Sequence, residues 1–277
     1  PLLGGIKASS VLSKRLFQID FLSSQRGELL VSLLYHKQLG DDWLLLADTV
    51  RIEFGINIIG RARKKKHVLG MGHLMETLQI RSRKYHYQQV ENAFTQPNAS
   101  VNEQMITWAC DSIERFGVGT KPDLLELYCG NGNFTLPLAA QFGKVMATEI
   151  AKSSVNSAHF NLTENGIDNV TIVRLSSEEM TQALAGVRPF RRLAQVDLSS
   201  FDFGTILVDP PRSGLDAETL ALVQQFDQVI YISCNPETLL DNLQELKQTH
   251  DLKRLALFDQ FPYTHHAECG VVLHKRN

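Results

Sequence analysis

The chain has 277 residues, 43% of them hydrophobic and 21% charged, with a formal net charge of -2. These values suit a globular protein of one large domain or two modest ones and exclude a low-complexity chain. They also exclude a chain that is basic throughout, so any nucleic-acid surface has to be a local patch. No apolar run reaches the roughly 18 residues that argue for a membrane span. The chain starts at Pro1 without a signal-peptide pattern, and we expect an amino-terminal portion of the parent protein to be missing from it. Cys110, Cys129, Cys234 and Cys269 are scattered without paired spacing. This argues against a disulfide framework and against a zinc site, and fits a reducing, cytoplasmic setting.

The first 89 residues read as a small α+β domain. Residues 16–22 alternate as a strand, Gln25-Arg26-Gly27 is a turn, and residues 28–36 supply the hairpin partner. Asp41-Asp42 opens a helix that runs to Phe54 and closes at Gly55. Residues 56–59 form a further strand. The densest positive run, Arg61-Ala62-Arg63-Lys64-Lys65-Lys66-His67, reads either as a solvated loop or as a contact to phosphates. A second run, Arg81-Ser82-Arg83-Lys84-Tyr85-His86-Tyr87, interleaves cations with aromatics. It reads either as an RNA-facing surface or as an ordinary amphipathic strand.

Residues 90–277 read as a second domain in which strands and helices alternate. A helix over 102–116 is followed by short apolar strands at 124–127, 145–148, 170–173, 205–208 and 229–233. Helices at 151–164 and 217–226 lie between some of them, and two late strands follow at 253–258 and 270–274. The series predicts an α/β fold with a mostly parallel sheet, whose ligands sit outside the carboxyl ends of the strands. Three features fall at such ends. Gly130 and Gly132 follow the first strand, where backbone can approach a ligand closely, and a helix starting near Asn133 is expected to turn free N–H groups toward it. Thr135 stands where a dinucleotide enzyme has its third glycine, so the nicotinamide pattern is incomplete. Glu149 ends the second strand, placed either to accept from ribose hydroxyls or to cap the helix after it.

Asp209-Pro210-Pro211 leaves the fourth strand, where two fixed φ angles stiffen the exit. Cys234 ends the fifth. Asn235 and Pro236 behind it are a good helix opening, and a thiol beside a helix amino terminus is expected to favour thiolate. Cys129 is expected to line the glycine loop, and Cys110 and Cys269 to be core. His265 and His266 are adjacent, a poor arrangement for a metal.

Five segments jointly carry a resemblance: residues 94–98 (FTQPN), 126–134 (ELYCGNGNF), 209–212 (DPPR), 233–236 (SCNP) and 266–270 (HAECG). In order and spacing they resemble the tRNA (uracil-5-)-methyltransferase family, in particular its bacterial T-loop members. The resemblance implies a class I fold that uses S-adenosylmethionine (SAM) as methyl donor and the T-arm of tRNA as partner. It implies Gln96, Tyr128, Asn133, Glu149 and Asp209 at the donor site, Cys234 as nucleophile and Glu268 as base, with no metal. The basic runs of the first domain would help hold the RNA. An rRNA uridine as target, or an inactive RNA-binding fragment, are the alternatives.

Overall fold

The computed structural model describes residues 1–117 and 123–276. The chain divides into two compact units, Pro1–Thr77 with Gln88–Ala93, and Leu78–Tyr87 with Phe94–Asn277.

The first unit opens with helices α1 (Leu2–Ala8) and α2 (Ser10–Ser13). Strands β1 (Leu16–Ser23) and β2 (Leu29–Tyr35) form an antiparallel hairpin. Helix α3 (Asp41–Phe54) then crosses over to β3 (Asn57–Ala62), which runs parallel to β2. Strand β4 (Lys65–Leu69) pairs antiparallel with β3 and ends a sheet of order β1-β2-β3-β4. The core is Trp43 and Ala47 of α3 against Val31, Leu33 and Ile58 of the sheet. The Trp43 ring fills the space over Gly60 so closely that a Cβ there would lie 2.2 Å from its Cη2.

The first basic run is therefore a hairpin and not a loop. Arg61 and Ala62 end β3, Arg63 and Lys64 turn, and Lys65 starts the edge strand. Arg61 and Lys66 are ion-paired to Glu91, whereas Arg63, Lys64 and Lys65 are exposed. Lysines on an edge strand discourage pairing with another chain, which gives these charges a structural use as well.

Strands β5 (His73–Ile80) and β6 (Arg83–Val90) form a two-stranded hairpin that runs through both units. In its second-unit part Tyr85 and Tyr87 are buried in a core cluster, and Arg81 is ion-paired to Asp111 and Glu114. The second basic run is thus an amphipathic strand. Its two tyrosines point into packing and are not open to stacking with bases.

Helix α4 (Ala99–Phe116), capped by Asn98, leads into the second unit's sheet. The elements that follow are β7 (Asp123–Leu127), α5 (Thr135–Leu138), β8 (Val145–Thr148), α6 (Lys152–Glu164), β9 (Val170–Val173) and α7 (Ser177–Leu184). Then come β10 (Phe203–Val208), α8 (Ala217–Val223), β11 (Gln228–Ser233), α9 (Pro236–Leu246), β12 (His250–Phe258) and β13 (Glu268–Lys275). The seven-stranded sheet has the order β12-β13-β11-β10-β7-β8-β9. Its five strands from β11 to β9 are parallel, and β13 and β12 are antiparallel additions at one side.

Alternation along the strands sends side chains to two apolar layers. Leu124, Leu207, Ile230, Ile232 and Val272 pack with α4, α5 and α6. Leu125, Leu127, Ile206, Val208, Tyr231 and Val271 pack with α7, α8 and α9. The result is an α/β three-layer sandwich in which the parallel strands are apolar on both faces, as burial from both sides requires. Among the described residues no helix is long and apolar enough to cross a membrane.

Candidate active site

The register between β11 and β13 pairs Gln228 with His274 and Ser233 with Cys269. One step further, the same register sets Cys234 against Glu268. Both lie on the α4 face of the sheet, because Ile230, Ile232 and Val272 point there and side chains alternate. The same parity carries Asp209 from Leu207 and Glu126 from Leu124. A thiol and three acids thus gather on one face, toward or at the carboxyl ends of the parallel strands.

Their environment shows in their acidities. Burial pushes Glu268 up to about 7, and its Oε2 is buried with no hydrogen-bond partner. Burial and the charge of Glu268 hold Asp209 well above the usual carboxylate range. Burial also raises Glu126 to about 8, with Thr135 opposing and Asp209 adding to the rise. For Cys234, burial comes first, then Glu268 and Asp209, and together they outweigh the lowering influences of its backbone surroundings and Arg212.

The helix opening expected from the sequence is present: Asn235 caps α9, accepting from the Glu237 N–H at 3.2 Å, and Pro236 is its first residue. The partial positive charge of that helix end favours thiolate, whereas burial and the charges of Glu268 and Asp209 favour the thiol.

On the other side of the carboxyl edge lies a crevice of about 440 Å³, lined among others by Tyr128, Thr148, Glu149, Ile150, Ser177 and Asp216. Tyr128, with a φ of 62°, starts the tight turn through Gly130 and Gly132, whose φ values are 57° and 88°. Left-handed backbone at a tyrosine is strained and typical of sites where geometry is imposed. The Tyr128 hydroxyl donates to Ser177 Oγ at 2.7 Å. Glu149 ties the turn to the next strand: its Oε2 accepts from the Gly130 N–H at 3.1 Å and its Oε1 from the Ala151 N–H at 2.7 Å. The carboxylate thus braces the loop and the residue that opens α6, close to the helix-start reading of the sequence.

Thr148 Oγ1 is buried without a partner, and Ile150 is 60% exposed. An orphaned hydroxyl, an apolar platform and a carboxylate around a space of this size fit a nucleoside-bearing ligand. The helix expected near Asn133 is only the short α5, starting at Thr135, and the Gly130 N–H is already engaged by Glu149. The Gly132 N–H is likewise engaged, by the Cys129 carbonyl, so the two glycine amides are used within the protein.

The sequence-predicted residues fall into three places. Tyr128 and Glu149 line the crevice. Asp209, Cys234 and Glu268 stand together at the strand ends. Gln96 and Asn133 lie beside neither crevice wall but are each held by another amide, Gln260 and Asn102. Cys129 lines the loop as expected, its sulfur toward the Gly130 carbonyl at 3.8 Å and its own carbonyl accepting from the Gly132 N–H, but its side chain is buried in the α4 layer and burial drives the thiol well up. Cys110 and Cys269 are core. Among the described residues no group of three His, Cys, Asp or Glu is placed to hold a metal.

Sequence reading gave no role to Glu126, although a charge inside the apolar run 124–127 is itself a signal of a buried acid. Gln260, Asn102 and Ser177 carry no such signal. Their roles depend on contacts between residues 31 to 164 positions apart.

The model of the tRNA (Uracil-5-)-methyltransferase family matches residues 1–276. A tRNA/tmRNA (uracil-C(5))-methyltransferase of Psychromonas ingrahamii is 56% identical over 99% of this chain and 75% of its own length. One of Acinetobacter baumannii is 53% identical with the same coverage. The crystal structure of Pyrococcus abyssi tRNA (uracil-54, C5)-methyltransferase with S-adenosyl-L-homocysteine superposes with a TM-score of 0.67 at 20% identity. It covers 92% of this chain and 59% of that one, and at this identity it shows the shared fold. With a match running through residue 276 and more than half its residues shared with the bacterial relatives, this chain belongs to the tRNA (uracil-5-)-methyltransferase family.

Proposed function

We propose that the chain transfers a methyl group from SAM to C5 of a uridine in the T-loop of tRNA, with Cys234 as nucleophile and Glu268 as proton acceptor. The observation that carries this reading is the register that sets Cys234 against Glu268, with Asp209 beside them.

Tyr128 and Glu149 hold the nucleoside part of the donor in the 440 Å³ crevice, and Gln96, Asn133 and Asp209 complete the donor site. Buried carboxyl groups whose ionised forms lack a cationic partner suit a cationic ligand, which would favour their ionisation. When bound, SAM supplies an electrophilic methyl group on a sulfonium.

Uracil C5 is a weak nucleophile. Addition of the Cys234 sulfur to C6 moves the C5–C6 π electrons toward O4 and makes C5 electron-rich. The sulfur adds as thiolate, its proton passing to solvent, so that Glu268 keeps its acceptor site for the later step. Once C5 carries its methyl group, Glu268 removes the C5 proton. The electron pair re-forms the double bond and expels the thiolate. A carboxyl group near 7 suits a proton acceptor at neutral pH. The target base has to leave its stack to meet the thiol, at roughly a few kcal/mol, least for a loop base. The exposed Arg63, Lys64 and Lys65 of the first unit contact the RNA backbone.

The test is transfer of label from methyl-labelled SAM to tRNA transcripts, with rRNA fragments in parallel. Label in tRNA that disappears when the T-loop uridine is replaced by cytidine supports the proposal. Label confined to rRNA, or RNA binding without label, refutes it.

A further inference from the structure

Gln96 and Asn133 are both amides, and each is gripped by a second, buried amide. Asn102 exchanges hydrogen bonds of 2.7 and 2.9 Å with Asn133. Gln260 Nε2 donates to Gln96 Oε1 at 2.8 Å. Gln260 is 1% exposed and lies just past Phe258, which pairs with Glu268. Gln260 thus follows directly on the strand that pairs with the start of β13, where Glu268 stands.

The neighbours of Gln260 suit an amino group better than a carbonyl oxygen. Its amino group faces two acceptors, Gln96 Oε1 and the Met105 sulfur at 3.6 Å. Turned round, it would put its carbonyl oxygen against a thioether, which has no proton to give. In the observed orientation Gln260 Oε1 is buried with no donor. Such a group is unfavourable, and its presence points to a use for the fixed amino end. That use passes to Gln96. With its oxygen engaged by Gln260, the half-buried Gln96 has its amino group left to offer a ligand.

We propose that Gln260 is a positioning residue that locks the Gln96 amide with its amino group outward, so that Gln96 donates to an oxygen acceptor on a bound ligand. The proposal rests on the methyltransferase reading above. Two ligands of that reaction carry a suitable oxygen: the methyl donor has a carboxylate and the uracil ring has carbonyls. An amino group at the same place, such as that of cytosine, meets a donor and is disfavoured.

The experiment compares Gln260→Met, Gln260→Leu, Gln96→Leu and the double variant Gln260→Met/Gln96→Leu. Calorimetric affinity for SAM without RNA reads the carboxylate source. KM and kcat for a tRNA transcript at saturating SAM read the ring-carbonyl source. Gln260→Met should weaken one of the two roughly three- to tenfold, and should weaken it no further in the Gln96→Leu background. Equal losses in both backgrounds, or no loss in either measurement, overturn the proposal. Should the Gln260 variants fail to fold, the wild-type protein with 15N-labelled glutamine decides. The Gln96 amino resonances, assigned by their absence from Gln96→Leu, should move on adding SAM or RNA, and no movement with either ligand overturns the proposal. A wild-type chain that transfers no methyl group would instead refute the underlying function, while the calorimetric comparison could still be read.

Discussion

Glu268 lies opposite Cys234 in the continued β11–β13 register, and neither has its proton held as a free side chain would hold it. Burial raises Glu268 to about 7, and burial together with the nearby acids raises the thiol. The same burial acts on both groups, and the carboxyl is placed where its charge bears on the thiol.

Cys234→Ala should abolish methyl transfer while leaving SAM affinity within about twofold. Turnover retained in that variant would eliminate the thiol as nucleophile. Glu268→Gln should accumulate a covalent RNA–protein adduct, since addition and methylation do not require the acceptor. A denaturing gel free of that adduct would count against Glu268.

The acidity of Glu268 sets a pH dependence. A base works ionised, so resolution of the covalent adduct into free methylated RNA should rise with pH through about 7. A cationic donor favours the ionised acid, so SAM affinity should rise over the same range, with protons released on binding. Calorimetry in buffers of different ionisation enthalpy measures that release. Proton uptake, or affinity flat between pH 6 and 8, contradicts the assignment.

Glu126 offers a stability test apart from catalysis. Burial raises its pKa from 4.5 to about 8, so between those values the folded state holds a proton that the unfolded chain has lost. Stability from this group is full below pH 4.5, declines as pH rises, and is gone above about 8. The decline is on the order of a few kcal/mol. Glu126→Gln should remove it, making the variant's melting temperature fall less than wild type's between pH 5 and 9. Parallel curves would show that Glu126 is not buried in this way.

In the first unit, Gly60→Ala should destabilise by about 1–3 kcal/mol, because the buried Trp43 ring occupies the methyl position. Tryptophan fluorescence on urea unfolding reads this, and an unchanged midpoint would be incompatible with the packing.

Glu149→Ala should weaken SAM binding roughly tenfold or more, since it frees both the Gly130 and Ala151 N–H groups as well as removing the ligand contact. Glu149→Gln should do less, because its carbonyl oxygen keeps one of the two. Equal affinities for all three proteins would remove Glu149 from the donor site.

What the sequence determined by itself was local or periodic. Strands 145–148 and 170–173 coincide with β8 and β9, because short apolar runs between turn residues leave few choices. The Asn235-Pro236 helix opening also followed from chain neighbours alone. The tertiary structure decided the rest, because burial and charge environment come from residues distant in sequence. The basic run at 61–67 became an edge hairpin because β3 offered a free side, and Tyr85 and Tyr87 became core because α4 packs against them. Burial, and then Glu268 brought by β13 from 34 positions away along the chain, raise the Cys234 thiol. Helix-end chemistry is legible in four consecutive residues. The desolvation and acid charge that oppose it exist only once the sheet has assembled.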